Sequence, residues 1–243
     1  MIACRDYTPH DARLQDYLCV WRELGFERGV VVQPSVYGFD NSAVLSTLEN
    51  DTMRFRGVVA LSGLEAGEQV ASFYARGVRG VRINLCNAGG VSREQVPKVV
   101  RLAEANGLHV EVQVGRADSE LINWLIRSTS VTVVVEHFGL MSNDMRDLNR
   151  LLDSGRLWIK LSAPYRAVSE PFPYPQTLDW VRGNIGLWRH RLLWGSDWPH
   201  TDLFRGMPSD VDLVNLLAIW LGTVELCKTV LVDNPSELYW RVE

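Results

Sequence analysis

The strongest constraint on the fold is a unit that recurs along the whole chain. Each unit is a short run rich in β-branched residues, then a polar residue, then a helical segment. The runs lie at 30–33, 56–61, 78–83, 109–113, 131–137, 157–161 and 192–195, and successive runs start 22 to 35 residues apart. Near-continuous apolar runs are typical of strands buried on both faces, and parallel strands need crossover connections of this length. The pattern therefore predicts a parallel sheet whose strands alternate with helices.

Alternation of this kind leaves two fold classes, a doubly wound sheet or a (β/α)8 barrel. A doubly wound nucleotide-binding domain would carry a glycine fingerprint after its first strand. Residues 33–38 read QPSVYG instead, and no P-loop occurs. The barrel is favoured because polar residues stand at the ends of nearly all the runs, where barrel enzymes place their chemistry. We predict an α/β fold of the (β/α)8 type with seven countable strands.

Local signals predict where several helices begin and end. Three are predicted: one from a capping box at 92–95 to Asn106 and Gly107, one from Ser209 to Gly222, and one opening at Asn234 and Pro235. The run 133–135 fits a buried helix by periodicity alone. Its density of β-branched residues favours a strand.

Composition bounds the class of protein. The chain has 243 residues, 47% hydrophobic and 22% charged, with a net charge of −4 and no linker-like segment. We predict one domain over residues 1–243. The slight acidity argues against a nucleic-acid partner, and no apolar run approaches the ~20 residues of a membrane helix. The start has no apolar segment of a signal peptide.

The cysteines predict a reducing compartment. They stand far apart in the sequence, form no CxxC pair, and are Cys4, Cys19, Cys86 and Cys227. We expect reduced thiols, buried as small hydrophobic residues, in a cytoplasmic protein. A homo-oligomer is compatible with the sequence.

Two strand ends carry candidate acid–base groups. Asp197 follows the seventh run between Trp194 and Trp198, and a carboxylate among aromatic residues at a barrel strand end is a candidate general base. The alternative is an aspartate that merely caps a turn. His137 ends the fifth run, and beside an aspartate at another strand end it is a candidate catalytic group. A structural histidine remains the alternative.

Arginines follow two further strands. Arg82 lies at the end of the third run and Arg166 follows the sixth. A guanidinium suits bidentate capture of a carboxylate. For Arg166 an exposed loop cation is the alternative.

Together these segments resemble the amidohydrolase superfamily, in its amidohydrolase-2 branch, and within it the 2-pyrone-4,6-dicarboxylate lactonase group. The resemblance is carried by residues 5–9, 32–41, 77–84, 136–139, 160–166, 194–200 and 233–235. The block GSDWPH at 195–200 is the most specific of them.

The resemblance implies a (β/α)8 barrel that hydrolyses lactones or amides, or in some branches decarboxylates. It implies that Asp197 activates water and that His137 polarises the carbonyl. The residues implied to hold or line the substrate are Arg82, Arg166, His200, Gln33, Ser35, Tyr37, Gln113 and Tyr165.

This chain departs from the family pattern in two places. The family's first strand ends in a His-x-His pair, which is absent here, so the chain is short of the family by one strand. Metal-dependent relatives use that pair with the residues equivalent to His137 and Asp197, and a catalytic zinc site generally needs three protein ligands. We therefore predict no bound metal; one divalent ion such as zinc is the alternative if an upstream segment supplies the pair. The second departure is the loop after Arg82, which has no cation, so a monocarboxylate fits as well as a dicarboxylate.

The sequence thus predicts a hydrolase of a small carboxylated lactone, with Asp197 as general base. The alternatives are a metal-dependent amidohydrolase or decarboxylase of the same superfamily, or a non-catalytic or incomplete descendant.

Overall fold

The structure is a computed structural model that describes residues 1–115, 119–141 and 145–241, with the side chains of 140–148 left aside. The strands are β1 (Gly29–Val32), β2 (Phe55–Val59), β3 (Val78–Asn84), β4 (His109–Gln113), β5 (Val133–Val135), β6 (Leu157–Ser162) and β7 (Leu192–Gly195). They correspond to the seven predicted runs, and their order in the sheet is the order of the chain. The segment 133–135 is a strand, as predicted.

Helices lie before β1, in the connections between the strands and after β7. They are α1 (Leu14–Glu23), α2 (Ser42–Asn50), α3 (Gly67–Ala75), α4 (Val96–Ala105), α5 (Ser119–Ser128), α6 (Met145–Leu152), α7 (Pro164–Ala167), α8 (Pro175–Trp188), α9 (Asp210–Leu221), α10 (Val224–Lys228) and α11 (Asn234–Tyr239). None of the described helices is both long and apolar enough to cross a membrane. The cytoplasmic location stays a prediction.

The chain divides into two compact units. Unit one comprises Met1–Pro9 and Gly25–Val134, and unit two comprises His10–Leu24 and Val135–Glu243. The single domain over 1–243 stays a prediction, and each unit is described by itself below.

In unit one, strands β1 to β4 form parallel pairs, and one face of β3 and β4 is polar. Arg82 pairs in register with Glu111, and Asn84 with Gln113. Because side chains alternate between faces along a strand, Arg82 and Asn84 share a face with these partners. All of β4 is buried, so these polar groups lie inside the unit. The register therefore places the side chain of Arg82 on the same buried face as the side chain of Gln113.

The loop after β3 packs tightly against the segment that follows β1. A Cβ added to Gly89 would lie 2.2 Å from the carbonyl oxygen of Ser35, and Gly89 has a φ of +90°. A Cβ on Gly90 would lie 1.9 Å from the carbonyl oxygen of Asn84. Both positions therefore need glycine, which lets the backbone come close.

In unit two, β6 and β7 pair in parallel from Ile159 with Leu192 to Ser162 with Gly195. The core below them is aromatic. The Phe138 ring is fully buried and meets Trp180 and Trp220 edge-on, with ring centroids 5.8 and 5.1 Å apart. Edge-to-face contacts of this kind add to the burial energy of the rings.

Four of the predicted helix boundaries are confirmed, and the predicted start of α4 is wrong. The helix α9 is capped by Ser209, whose Oγ accepts from the Asp212 amide at 3.0 Å, and it ends at Gly222 in a left-handed conformation. The helix α4 ends before Asn106 and Gly107, but it begins at Val96 and not at the capping box. Ser92 Oγ donates to Gln95 Oε1 at 3.4 Å, and residues 93–95 form a turn before the helix begins. The helix α11 begins at Asn234 as predicted, but the backbone is already helical because a π-helix, Thr229–Asp233, precedes it.

The burial expected for the cysteines is wrong. Cys4, Cys19 and Cys86 are exposed and Cys227 is half-buried. They lie in the N-terminal segment, on α1, in the loop after β3 and on α10, away from the strands that build the core.

We expect Gly89→Ala to lower the free energy of unfolding by about 3 kcal/mol, because the new Cβ meets the Ser35 carbonyl in a left-handed conformation. Urea denaturation measures the change. Gly67→Ala is the matched control, since Gly67 is the first residue of α3 and no atom lies within 4 Å of the added Cβ. Equal stability of the two variants would contradict the close packing of this loop.

Candidate active site

Left-handed backbone conformations mark the ends of the last three strands. Among the described non-glycine residues, six have a positive φ, and five of them lie within five residues of the end of β5, β6 or β7: His137, Phe138, Ala163, Asp197 and His200. Such conformations cost about 1 to 3 kcal/mol each and cluster at active sites. The strand ends of unit two are therefore the first place to look for chemistry.

Asp197 is the centre of this cluster. The Tyr165 hydroxyl donates to its Oδ2 at 2.6 Å, and Arg166 Nε donates to the same oxygen at 3.3 Å. Burial raises the pKa of this carboxyl, but the positive charges of His137 and Arg166 and the hydrogen bond from Tyr165 outweigh it. The pKa of Asp197 therefore lies below its ordinary value of 3.8. The group is an ionised carboxylate at neutral pH, as a general base requires.

His137 is held by the strand next to its own. Its Nδ1 lies 2.9 Å from Ser162 Oγ, at the end of β6, and the ring is buried. Glu136 lies beside it and forms an ion pair with Lys160 at 3.6 Å. The ring is thus fixed at Nδ1, and its Nε2 lies 4.0 Å from Glu136 Oε2.

Tyr165 and Arg166 lie on α7, the single helical turn after β6. Arg166 also reaches Asp202, with Nη1 3.4 Å from Oδ2. Burial lowers the pKa of Arg166, but the negative charge of Asp197 and its hydrogen bond raise it by more, so the guanidinium stays charged. Burial and the charge of Asp197 raise the pKa of Tyr165 far above its ordinary value. Tyr165 is thus a hydrogen donor across the physiological range of pH.

His200 lies against the other side of Tyr165. Its Nδ1 is 2.9 Å from the Tyr165 hydroxyl, and its Nε2 is 3.6 Å from Asp210 Oδ1. The side chain is almost fully buried. The Asp197 cluster therefore comprises His137, Ser162, Tyr165, Arg166, Asp197 and His200.

A second group of predicted residues lies in unit one around Arg82. Its Nη1 donates to the Gln33 carbonyl at 3.0 Å, and its Nη2 donates to Gln113 Oε1 at 2.7 Å. Gln33 Nε2 in turn donates to the carbonyls of Gly38 and Asp40. This Arg82 cluster thus joins Arg82, Gln33 and Gln113.

Ser35 and Tyr37 lie on the short 3-10 helix after β1. Ser35 lines a small cavity together with Gln33, Arg82 and Asn84. Tyr37 is not among the residues that line it, although the sequence grouped Tyr37 with them. The roles of all these residues in binding substrate stay predictions.

The sequence prediction left out two residues that the structure joins to the cluster. Ser162 is a polar residue at a strand end, like the residues that were predicted, and this signal could have identified it. Asp210 was visible only as an acidic residue in the first turn of a helix, which is a common stabilising feature. Its contact with His200 had no signal in the sequence.

The described residues do not offer a metal centre. No group of three or more His, Cys, Asp or Glu side chains placed to hold a metal ion occurs within 1–115, 119–141 and 145–241. Asp197 Oδ2, the family's ligand position, is engaged by Tyr165 and Arg166. The donors present do not fit a catalytic zinc site, and the mechanism below is derived from this chain's own residues.

Comparisons with known proteins identify the family. The family model described as Amidohydrolase matches residues 1–241. The chain is 31% identical over 247 residues to 4-sulfomuconolactone hydrolase of Rhizobium radiobacter, a match that spans 97% of this chain and 83% of that protein. It is 29% identical over 257 residues to 2-pyrone-4,6-dicarboxylate hydrolase of Comamonas testosteroni, spanning 98% of this chain and 84% of that protein.

A solved structure shares the fold. A probable 2-pyrone-4,6-dicarboxylic acid hydrolase of Acinetobacter baumannii, with citric acid bound, superposes with a TM-score of 0.85 at 25% identity, over 99% of this chain and 94% of that chain. This similarity and the seven parallel strands confirm the predicted (β/α)8-type fold class, with the first strand of the family pattern absent from the described residues.

We expect Arg166→Gln to move the acidic limb of the kcat/KM profile to higher pH by about one unit or more, because an opposite charge beside a carboxylate lowers its pKa by that much. The acidic limb reports protonation of the free enzyme's essential base. Arg182→Gln, an exposed arginine on α8, is the control and should leave the limb in place. If the acidic limb of Arg166→Gln stays at the pH of the unaltered chain, the Arg166 guanidinium does not lower the pKa of the essential base.

Proposed function

This chain belongs to the amidohydrolase family, and from that premise we propose that it hydrolyses a small lactone that bears an acidic group, with Asp197 as the general base. The observation that carries the proposal is the ionised carboxylate of Asp197, held by Tyr165 and Arg166 beside the fixed ring of His137. Two relatives that align over nearly the whole chain are named as hydrolases of a muconolactone and of a pyrone dicarboxylate. Both relatives support a lactonase-like function for this chain.

In the proposed reaction Asp197 takes a proton from water as the water oxygen adds to the lactone carbonyl. The carbonyl oxygen becomes an oxyanion, to which His137 donates a hydrogen bond from Nε2. Collapse of the tetrahedral adduct breaks the bond between the carbonyl carbon and the ring oxygen. The proton held by Asp197 passes to that ring oxygen, which leaves a carboxylic acid and a hydroxyl group. Donors aimed at the developing oxyanion are a large part of catalysis in such sites.

Three hydrogen bonds hold the reacting groups of this proposed reaction in place. Ser162 holds Nδ1 of His137, so the ring cannot turn away from the carbonyl. Tyr165 and Arg166 both bind Oδ2 of Asp197, which leaves Oδ1 as the oxygen we assign to the water. Holding the groups in one geometry lowers the entropic part of the barrier.

We propose that Arg166 holds the acidic group of the substrate. Arg166 donates from Nε to Asp197 and from Nη1 to Asp202, and a guanidinium has five N–H donors. The substrates named for the relatives carry a sulfonate or carboxylates, and the solved relative from Acinetobacter baumannii binds citric acid. The substrate-binding roles expected for Arg82, Gln33, Ser35, Tyr37 and Gln113 stay predictions.

We expect Asp197→Asn to lower kcat by about 10³, because a general base contributes about 10² to 10⁴ in rate. Hydrolysis of 2-pyrone-4,6-dicarboxylate and of 4-sulfomuconolactone, followed by absorbance, measures the loss. Asp202→Asn is the matched control, since Asp202 is the other carboxylate on Arg166 and is more exposed. Full activity in Asp197→Asn would overturn the mechanism, and binding without turnover by the unaltered chain would favour a non-catalytic descendant.

We also propose that the reaction needs no bound metal. The purified chain should contain far less than one zinc ion per molecule by elemental analysis. Activity should survive a chelator, because the described donors form no three-ligand group. One equivalent of zinc whose removal abolishes activity would show that the metal-dependent branch of the family is the correct comparison.

A further inference from the structure

The His200 ring is placed between two protein groups, one at each ring nitrogen. Its Nδ1 contacts the Tyr165 hydroxyl at 2.9 Å, and its Nε2 faces Asp210 Oδ1 at 3.6 Å. The residue is 2% exposed. Both Nε2 and Asp210 Oδ1 are buried, and neither has a hydrogen-bond partner among the described residues. His200 and Asp210 also line a cavity of about 340 Å³. With its two nitrogens turned to Tyr165 and Asp210, however, the ring is poorly placed to hold a substrate carboxylate, which is the role that the family resemblance implies for it.

The hydrogen of Tyr165 fixes the direction of the bonds in this chain of contacts. A tyrosine has one hydroxyl hydrogen, and here it is donated to Asp197 Oδ2 at 2.6 Å. The phenolic oxygen then has to accept from His200, so Nδ1 carries a hydrogen, and a ring that also turns a hydrogen on Nε2 toward Asp210 carries a hydrogen on both nitrogens. A His200 ring without a hydrogen on Nδ1 would instead accept the Tyr165 hydrogen, and Asp197 would lose that donor.

Asp210 is placed to hold the ring. It is the first residue of α9, directly after the capping residue Ser209, and its side chain is 13% exposed. Its charge also acts on Tyr17 of α1: burial and the charge of Asp210 raise the pKa of Tyr17 to about 12. The Asp210 carboxylate therefore faces an enclosed space, where a charge without a partner is costly.

Helix capping alone does not account for this placement. Asp212 lies in the same first turn of α9 and is exposed, so it interacts with the helix dipole without burial. The Ser209 hydroxyl already caps the helix. What distinguishes Asp210 from Asp212 is its contact with His200.

We propose that Asp210 is a positioning residue for the lactone hydrolysis proposed above: it holds the His200 ring so that Nδ1 donates to Tyr165, and Tyr165 in turn donates to Asp197. The inference rests on the proposed function of Asp197. Three contacts then separate Asp210, on α9, from the general base that it helps to orient. Partners that orient a reacting group typically cost about 10 to 100-fold in activity when removed, as second-shell groups of metal sites do.

The test compares Asp210→Asn with Asp212→Asn, two losses of one charge in the same helical turn. Asp210→Asn should lower kcat on 2-pyrone-4,6-dicarboxylate or 4-sulfomuconolactone by about tenfold with little change in KM, since neither Asp210 nor His200 is assigned to substrate. Asp212→Asn should leave both constants near those of the unaltered chain. Asp210→Glu, which keeps the carboxylate, should lose less than Asp210→Asn.

The second arm is ¹⁵N NMR of the histidine rings, which reads the chain of contacts without any substrate. The His200 signals, identified by their loss in His200→Gln, should shift in Asp210→Asn and stay in place in Asp212→Asn. If Asp210→Asn does not fold, as judged by circular dichroism, Asp210→Glu is compared with the unaltered chain, and a perturbed Nε2 signal is expected because the carboxylate has moved.

The two arms separate this inference from the proposed function. If no lactone is hydrolysed by any variant but the His200 signals respond to Asp210 alone, the contact is supported and the proposed function fails. If the unaltered chain hydrolyses lactones, and Asp210→Asn matches Asp212→Asn in both kcat and His200 signals, the positioning role is overturned.

Discussion

The site in unit two depends on keeping one carboxylate ionised in a partly enclosed place. Burial favours the neutral form of Asp197, and three neighbours reverse that preference. These neighbours come from two strand ends: His137 follows β5, and Tyr165 and Arg166 lie on the turn after β6. An isolated buried charge would neutralise itself or destabilise the fold. The strand ends are therefore electrostatically coupled, and none of these residues can be understood as a separate contact.

The repeating apolar runs were sufficient to predict the strands, because burial on both faces leaves little freedom in composition. The bounds of β4 and β7 agree with the prediction. The strand β5 is shorter than its run because the backbone turns into a left-handed conformation at His137. The start of α4 was missed because the Ser92 side chain contacts Gln95 and makes no backbone cap. Local patterns report propensity, and tertiary contacts decide between two acceptable ends.

The candidate site was predictable where it depended on position at a strand end, and unpredictable where it depended on contacts between distant segments. Asp197, His137 and the arginines could be named because parallel strands bring their carboxyl ends to one edge. The contact between His200 Nδ1 and the Tyr165 hydroxyl could not be seen in the sequence, since Tyr165 lies 35 residues away. The same holds for Arg82, whose recorded bonds to Gln33 and Gln113 span 49 and 31 residues.

The left-handed turns at the strand ends restrict which amino acids can occupy these positions. Asn, Asp and His are the non-glycine residues that adopt this conformation most readily, and His137, Asp197 and His200 all do so here. Backbone geometry and acid–base chemistry thus select the same few side chains at these positions. A descendant of this chain that acquires a new substrate has little room to vary them.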